Sequence, residues 1–159
     1  MDIKRLENPD EAQWCAQVMA SSEPWITLGR SAAESLTIIT DPLKEVYLAT
    51  LEGERVGFVI INMNGAFIGY IQTVCMASDQ RGKGLGGQLI NFAETRILRD
   101  SPNVFLCVSS FNQEAKKLYE RLGYQVIGEL TDYLVTGYGE ILMRKTIGPI
   151  KDFQKRTQT

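Results

Sequence analysis

Four glycines stand within six residues at positions 82–87, and they separate a strand-like run from a helix-like run. Residues 67–76, before them, are rich in apolar, β-branched and aromatic side chains, as strands are. After them, apolar residues recur at helical spacing at Leu85, Leu89, Phe92, Ala93 and Ile97. Glycine lets the backbone turn tightly and approach a ligand, and the first amides of a helix lack partners within the helix. The segment therefore predicts a strand-to-helix turn that can cradle a phosphate or pyrophosphate.

The rest of the chain alternates between patterns typical of strands and of helices. We expect the order β-α-α-β-β-β-α-β-α-β-β, with strands over 3–6, 45–51, 55–63, 67–76, 104–108, 125–128 and 141–145, and helices over 9–19, 32–39, 85–97 and 112–122. A hairpin-rich sheet with two late helices indicates an α+β or mixed α/β fold. A length of 159 residues suits one domain, so we expect a single domain over 1–147 and a polar C-terminal tail over 148–159.

Charge and composition exclude several classes of protein. Lys and Arg total 17 and Asp and Glu total 19, whereas proteins that hold nucleic acid by bulk charge are normally basic. No segment approaches the ~18 apolar residues of a membrane span, so we expect no membrane partner. The chain has no histidine, which removes imidazole chemistry and histidine-ligated metals, and we expect no metal site. Proton transfer must then use Tyr, Cys, Lys, Asp, Glu, a chain terminus or water.

The three cysteines, Cys15, Cys75 and Cys107, do not form a disulfide pattern. Their number is odd, they are widely spaced, and they contain no CxxC motif. We therefore expect reduced, buried thiols in a cytoplasmic protein.

The glycine segment can be compared with known anion-binding patterns. The phosphate-loop pattern GxxxxGK[ST] is absent, which argues against a nucleotide triphosphatase. Residues 82–87 satisfy the dinucleotide spacing GxGxxG, so a dinucleotide-dependent oxidoreductase is one alternative. Against it, the segment follows three hairpin-like strands, so we expect no βαβ unit to open there, and the next strand lacks the acid that would hold a ribose. A tight turn without any ligand is another alternative.

A further pattern, R-x-x-G-x-G, is formed by Arg81, Gly84 and Gly86. It resembles motif A of the GNAT superfamily of acetyl-CoA-dependent N-acetyltransferases, and the order of elements is similar over residues 1–147. The resemblance implies a GNAT-like fold: a central, mostly antiparallel sheet of about seven strands with a splayed middle pair, flanked by about four helices. It also implies acetyl-CoA as cofactor, with the pantetheine arm along a strand and the pyrophosphate in the glycine turn. The implied coenzyme-binding residues are Val74, Cys75 and Met76 on the strand, and Arg81, Gly82, Lys83, Gly84, Leu85, Gly86 and Gly87 in the turn.

A second motif lies at residues 112–124. Asn112, Ala115, Tyr119, Gly123 and Tyr124 match N-x-x-A-x-x-x-Y-x-x-x-G-[FY], which resembles motif B of the same family. Asn112, Ala115 and Tyr119 are three and four residues apart and so share one helix face. Small Ala115 keeps that face low, and Asn112 can hydrogen-bond an amide of pantetheine. The resemblance implies that Asn112, Ala115 and Tyr119 all contact the coenzyme. Periodicity alone would make Tyr119 a core residue, whereas the resemblance implies a catalytic general acid that protonates the leaving thiolate.

The base that deprotonates the acceptor amine is not evident from the sequence. Many relatives carry a glutamate on the strand before motif B, and Cys107 stands at that position here. We expect Cys107 to be a buried, inert thiol, although a cysteine can also act as a base or a nucleophile. Glu140, a water relay and direct loss of the proton to solvent all remain open.

The resemblance places two loops, 22–30 and 131–140, around the acceptor. Trp25 and Tyr133 can form walls of a substrate pocket, Glu140 can attract a cation, and Gln72 lies on the neighbouring strand. The implied activity is an N-acetyltransferase, an acyltransferase that acts on a primary amine of a small molecule, of a peptide or protein N-terminus, or of a lysine. Because the usual glutamate is missing, a catalytically weak coenzyme A-binding sensor or interaction protein is the alternative. Edge strands of such a sheet can also pair between chains as a homodimer.

Overall fold

The computed structural model describes residues 1–154, and its strands form one sheet. The strands are β1 (Asp2–Arg5), β2 (Lys44–Leu51), β3 (Glu54–Asn62), β4 (Tyr70–Met76), β5 (Asn103–Ser109), β6 (Gln125–Leu130) and β7 (Glu140–Thr146). The helices are α1 (Pro9–Ala20), α2 (Ala32–Ile39), α3 (Leu85–Ile97) and α4 (Gln113–Arg121), and a short 3-10 turn covers Ser78–Gln80. Over the described residues, the predicted order of strands and α-helices is confirmed.

The sheet has the strand order β1-β2-β3-β4-β5-β7-β6. Neighbouring strands are antiparallel except β4 and β5, which run parallel and are connected through α3. The predicted mixed α/β, mostly antiparallel sheet is therefore confirmed. The expectation that no βαβ unit opens at the glycine turn is wrong, because β4, α3 and β5 form a parallel crossover. The sequence conceals this pairing because β4 also forms a hairpin with β3.

Helices cover both faces of the sheet, and β3 is buried between them. Phe58 and Ile60 pack into a core with α1 and α2 on one face. Val59 and Ile61 pack into a second core with α3 and α4 on the other face. This alternation follows from the two-residue period of a strand. The neighbouring strand, β4, is therefore held between the helices that pack on the two faces of the sheet.

Side-chain caps explain where three of the helices begin. Asn8 accepts a hydrogen bond from the Glu11 amide at 3.0 Å at the start of α1. Ser31 and Glu34 form a capping box at the start of α2. Asn112 accepts from the Ala115 amide at 3.3 Å at the start of α4. Helix α3 differs, because it follows Gly84 and has no side-chain cap.

Most strand and helix boundaries lie within one or two residues of the sequence prediction, and the start of β4 differs by three. β4 begins at Tyr70 rather than at residue 67, because Gly69 adopts a φ of 91° and interrupts the extended backbone. A side chain at Gly69 would also clash with the Asn103 carbonyl. In the predicted tail, residues 148–154 follow β7, whereas residues 155–159 lie outside the described part of the chain. Among the described helices, none combines the length and apolarity that crossing a membrane requires.

Candidate active site

The sheet opens in its middle, between β4 and β5. Tyr70 pairs with Phe105 and Ile71 with Leu106, and no other pair joins these strands over the described residues. Across from β3, Ile60 pairs with Thr73 and Ile61 with Ile71, so the intervening Gln72 is an extra residue in β4. An extra residue of this kind bends its strand. The bulge lies where the two strands part, and the predicted splayed middle pair is confirmed.

A cleft of about 280 Å³ lies at this opening. It is lined by β4, β5, the start of α4, the loop after α1 and the loop before β7. The lining includes Val74, Asn112, Ala115 and Tyr119 from the predicted coenzyme-binding residues, and Trp25, Gln72, Tyr133 and Glu140 from the predicted acceptor-binding residues. The structure thus brings members of both predicted sets into one cavity. The other predicted coenzyme-binding residues, Cys75, Met76 and those at 81–87, do not line it.

The glycine turn continues from the end of β4 and has an open surface. Gly82 and Gly84 adopt φ angles of 73° and 77°, which favour glycine. A Cβ atom at Gly82, Gly84 or Gly87 would meet no other atom within 4 Å. The first hydrogen bond back to the turn joins the Gln88 amide to the Gly84 carbonyl at 3.4 Å, so the preceding amides of α3 lack partners within the helix. An uncapped helix start beside open glycines is an arrangement that can hold an anion.

The two charged side chains of the turn contact protein groups. Arg81 donates from Nε to the Met76 carbonyl at 3.3 Å and from Nη2 to Ser22 Oγ at 2.7 Å. Lys83 donates from Nζ to Gln80 Oε1 at 3.1 Å. Arg81 therefore connects the glycine turn to the end of α1, in addition to the positive charge it contributes.

Helix α4 presents three of the motif residues to the cleft. Asn112 uses Oδ1 to cap the helix, and its side-chain nitrogen, Nδ2, has no partner among the described residues. Ala115 lines the cleft, and Tyr119 lines it further along the same helix, with its ring packed edge-on against Tyr124. Burial raises the pKa of Tyr119 to about 12, so its hydroxyl remains protonated at neutral pH. Tyr119 therefore lines the cavity with its hydroxyl protonated.

The lining of the cleft also includes a buried carboxylate, that of Glu140. Glu140 is the first residue of β7, and its Oε1 accepts a hydrogen bond from Ser109 Oγ at 2.7 Å. Both residues are buried. Burial raises the pKa of the Glu140 carboxyl, and the hydrogen bond from Ser109 opposes that rise. Ser109 is a site residue that the sequence analysis missed, although its position two residues after Cys107 places both on one face of β5.

The environments of the cysteines are not all alike. Cys15 and Cys75 are buried as expected, and burial raises their pKa values to about 12 and about 11. Cys75 packs in the core beside α1, so only its backbone can face a ligand in the cleft. Cys107 is only half-buried and lines the cleft, contrary to expectation, because the alternation of β5 turns it away from the core. Burial raises the pKa of Cys107 and of nearby Tyr70, so both stay neutral at pH 7.

The sequence matches the acetyltransferase (GNAT) family over residues 5–124. The chain belongs to this family. The matched region contains β4, the glycine turn, α3 and α4, so the predicted family membership is confirmed.

Comparison with individual proteins agrees with this membership. The chain is 28% identical over 132 residues to the GCN5-related N-acetyltransferase 6, chloroplastic, of Arabidopsis thaliana, a match that covers 79% of this chain and 46% of that protein. The chain thus spans about half the length of this relative. A GNAT-family protein from Desulfovibrio desulfuricans has the same fold, with a TM-score of 0.77, 18% identity, and coverage of 92% of this chain and 99% of that one. An aminoglycoside 6′-N-acetyltransferase complexed with coenzyme A gives a TM-score of 0.73 and 22% identity, over 94% and 98% of the two chains.

Proposed function

We propose that this GNAT acyltransferase transfers the acetyl group of acetyl-CoA to a primary amine, with Tyr119 as the general acid. The observation that carries the proposal is the opening between β4 and β5, which leads from a cavity lined by Tyr119 along β4 to the uncapped glycine turn. The coenzyme A in the aminoglycoside acetyltransferase of the same fold supports the choice of cofactor.

The residues of this chain fit coenzyme A. Open space beside Gly82, Gly84 and Gly87 and the partnerless amides of α3 suit a pyrophosphate. Where β4 leaves β5, its backbone can pair with the amides of the pantetheine arm, and the small Ala115 leaves room on the facing helix. When bound, acetyl-CoA supplies an acetyl thioester that a neutral amine can attack.

The proton on Tyr119 completes the transfer. A thiolate that leaves a thioester must be protonated to form the thiol, and a phenol with a pKa of about 12 is still protonated at neutral pH. The hydroxyl of Tyr119 has no hydrogen-bond partner among the described residues, which leaves it available to the sulfur. The acceptor enters from the side of Trp25, Tyr133 and Glu140, which line the other part of the cavity. The acceptor class is an unhindered primary amine, in keeping with the N-acetyltransferase names of the relatives.

Thermal unfolding in the presence of ligands tests the cofactor directly. A ligand at 100 times its dissociation constant stabilises the folded state by about 2.7 kcal/mol. For a domain of this size we expect a rise in Tm of roughly 5–10 °C with acetyl-CoA and with desulfo-CoA, and no rise with NAD. Stabilisation by NAD alone, or by no ligand, would contradict the proposal.

Thiol release then tests acetyl transfer. The panel should contain an aminoglycoside, a polyamine, a lysine peptide and a peptide with a free N-terminal alanine, each with acetyl-CoA. We expect release of coenzyme A thiol that depends on at least one amine. Binding of acetyl-CoA without amine-dependent thiol release across a broad panel would contradict the proposed activity.

A further inference from the structure

Glu140 is the more deeply buried of the two carboxylates that line the cleft, and the acid step assigned to Tyr119 gives it no role. It is 4% exposed, whereas Glu23, the other carboxylate, lies on an exposed loop. Burying a carboxylate is costly unless it is paired and hydrogen-bonded, so a buried carboxylate without an ionic partner needs an explanation. Yet Glu140 forms no salt bridge with any described residue, and its one hydrogen bond comes from Ser109.

The two oxygens of the Glu140 carboxylate have different surroundings. Oε1 is held by Ser109 Oγ at 2.7 Å, and Ser109 is itself buried on the neighbouring strand. Oε2 has no hydrogen-bond partner among the described residues and is not sealed from solvent, so it faces the cleft. Strand pairing fixes the backbone on both sides, since Glu140 pairs with Ser109 of β5 and with Leu130 of β6. The carboxylate is thus rigidly placed with one free oxygen in the cavity.

The titratable groups near Glu140 hold their own protons, so Glu140 is the group that can accept a proton in this part of the cavity. Tyr70 on β4 and Cys107 on β5 stay protonated, because burial raises the pKa of both. Arg30, on the loop after α1, is the cation that lines the cleft and lowers the pKa of Glu140 without forming an ion pair with it. The remaining titratable groups on the lining are Tyr119, Tyr133 and Glu23. Overall, burial dominates and raises the pKa of Glu140, which makes it a stronger base than an exposed glutamate.

We propose that Glu140, positioned by Ser109, binds the ammonium form of the acceptor and removes its proton, an inference that rests on the proposed function. The proton passes from nitrogen to Oε2, and the electron pair of the broken N–H bond stays on nitrogen. The neutral amine then forms the C–N bond to the acetyl carbon as the C–S bond breaks, and Tyr119 gives its proton to sulfur. The second N–H proton, lost as the amide forms, returns through water to Tyr119, and Glu140 releases its proton to solvent.

The same geometry defines the class of acceptor. A free carboxylate oxygen in a cavity that Trp25 and Tyr133 also line suits a primary amine that arrives as a cation. Glu140 therefore fills the role that Cys107, at the usual position of the base, cannot fill with its raised pKa.

The test compares pH profiles of kcat/KM for whichever amine of the panel is acetylated fastest. With Glu140 as base, wild-type kcat/KM is level between the pKa of Glu140 and that of the amine. We expect Glu140→Gln to lower kcat/KM about a hundredfold at pH 7. As the pH is raised above 7, this loss should shrink roughly tenfold per pH unit. The reason is that the variant reacts only with amine that is already neutral in solution, and that fraction grows with pH. Glu129→Gln, the same change on the exposed neighbouring strand, is the matched control and should leave the profile unchanged.

A second pair of variants tests the positioning role of Ser109. Ser109→Ala should lower kcat/KM about tenfold and move the acidic limb of the profile to higher pH, since its hydrogen bond lowers the pKa of Glu140. Ser109→Thr, which keeps a hydroxyl, should restore the wild-type limb.

The rise in Tm with acetyl-CoA separates the two proposals. It should be unchanged in Glu140→Gln and in Ser109→Ala, because neither residue lies at the coenzyme turn. A level pH profile with wild-type kcat/KM in a folded Glu140→Gln enzyme would overturn the inference and leave the proposed function standing. A wild-type chain that binds acetyl-CoA but acetylates no amine would overturn both.

Discussion

A phenol can protonate a leaving thiolate only while it holds its own proton, and burial ensures this at Tyr119. Its pKa of about 12 keeps the hydroxyl neutral throughout any practical assay. We expect Tyr119→Phe to lower kcat by about tenfold to a hundredfold, less than many general acids supply, because a thiolate is already a good leaving group. The affinity for acetyl-CoA should hardly change. Steady-state kinetics together with coenzyme titration would measure both quantities.

Tyr124→Phe is the matched control for this prediction. The Tyr124 ring packs edge-on against Tyr119 at 5.8 Å, and its buried hydroxyl has no hydrogen-bond partner among the described residues. Removing that hydroxyl should leave kcat close to wild type. Equal losses in the two variants would indicate a general effect of removing a hydroxyl from this pair of rings, rather than the loss of a proton donor at Tyr119.

The start of α3 is the element on which the proposed anion binding depends. Helices α1, α2 and α4 use a side chain to satisfy their first amides, whereas α3 starts after a left-handed glycine and leaves them open. Gly84→Glu would place a carboxylate in this space. We expect it to weaken coenzyme A binding by roughly a hundredfold or more, since like charges repel at close range. Isothermal titration with coenzyme A would measure the loss.

Gly65→Glu separates the charge effect from backbone strain. Gly65 has a φ of 86° and equally open surroundings, but it lies in the loop between β3 and β4. A left-handed non-glycine residue costs about 1–2 kcal/mol, so both variants should lose similar stability. Only Gly84→Glu should lose affinity for coenzyme A. Unchanged affinity in that variant would remove the glycine turn from the coenzyme site.

At the scale of the whole molecule, the sequence was sufficient to predict the features that depend on residues close together along the chain. Periodicity, caps and turn residues within short windows of sequence predict the glycine turn, the starts of the helices and the order of the elements along the chain. The bulge at Gln72 and the hydrogen bond between Ser109 and Glu140 depend on the register of strands far apart in the sequence, which no local pattern encodes. The same reason hid the parallel pairing of β4 with β5. The candidate coenzyme residues were therefore identified by motif, whereas the placement of Glu140, the proposed base, beside Ser109 required the sheet.

Arg81 connects the two parts of the candidate site, the glycine turn and the loop after α1, although its partner Ser22 is 59 residues away in the sequence. Its guanidinium donates to Ser22 at 2.7 Å, and Ser22 in turn donates to the Val18 carbonyl at the end of α1. The loop that begins after Ser22 carries Glu23 and Trp25 to the acceptor side of the cleft. The glycine turn that suits the coenzyme is thus bonded directly to the loop that shapes the acceptor site.

Because of the hydrogen bond between Arg81 and Ser22, we expect substitutions of these two residues to have different effects. Hydrogen bonds to charged groups contribute about 1.5–3 kcal/mol, so Ser22→Ala should raise the KM for the amine roughly tenfold while the coenzyme dissociation constant stays near wild type. Arg81→Ala should raise both constants, because it also removes charge from the turn. In the double variant the amine KM should rise no further than in Arg81→Ala alone, since the shared bond is already lost. Additive increases in KM, measured at saturating acetyl-CoA, would show that the two halves of the site act independently.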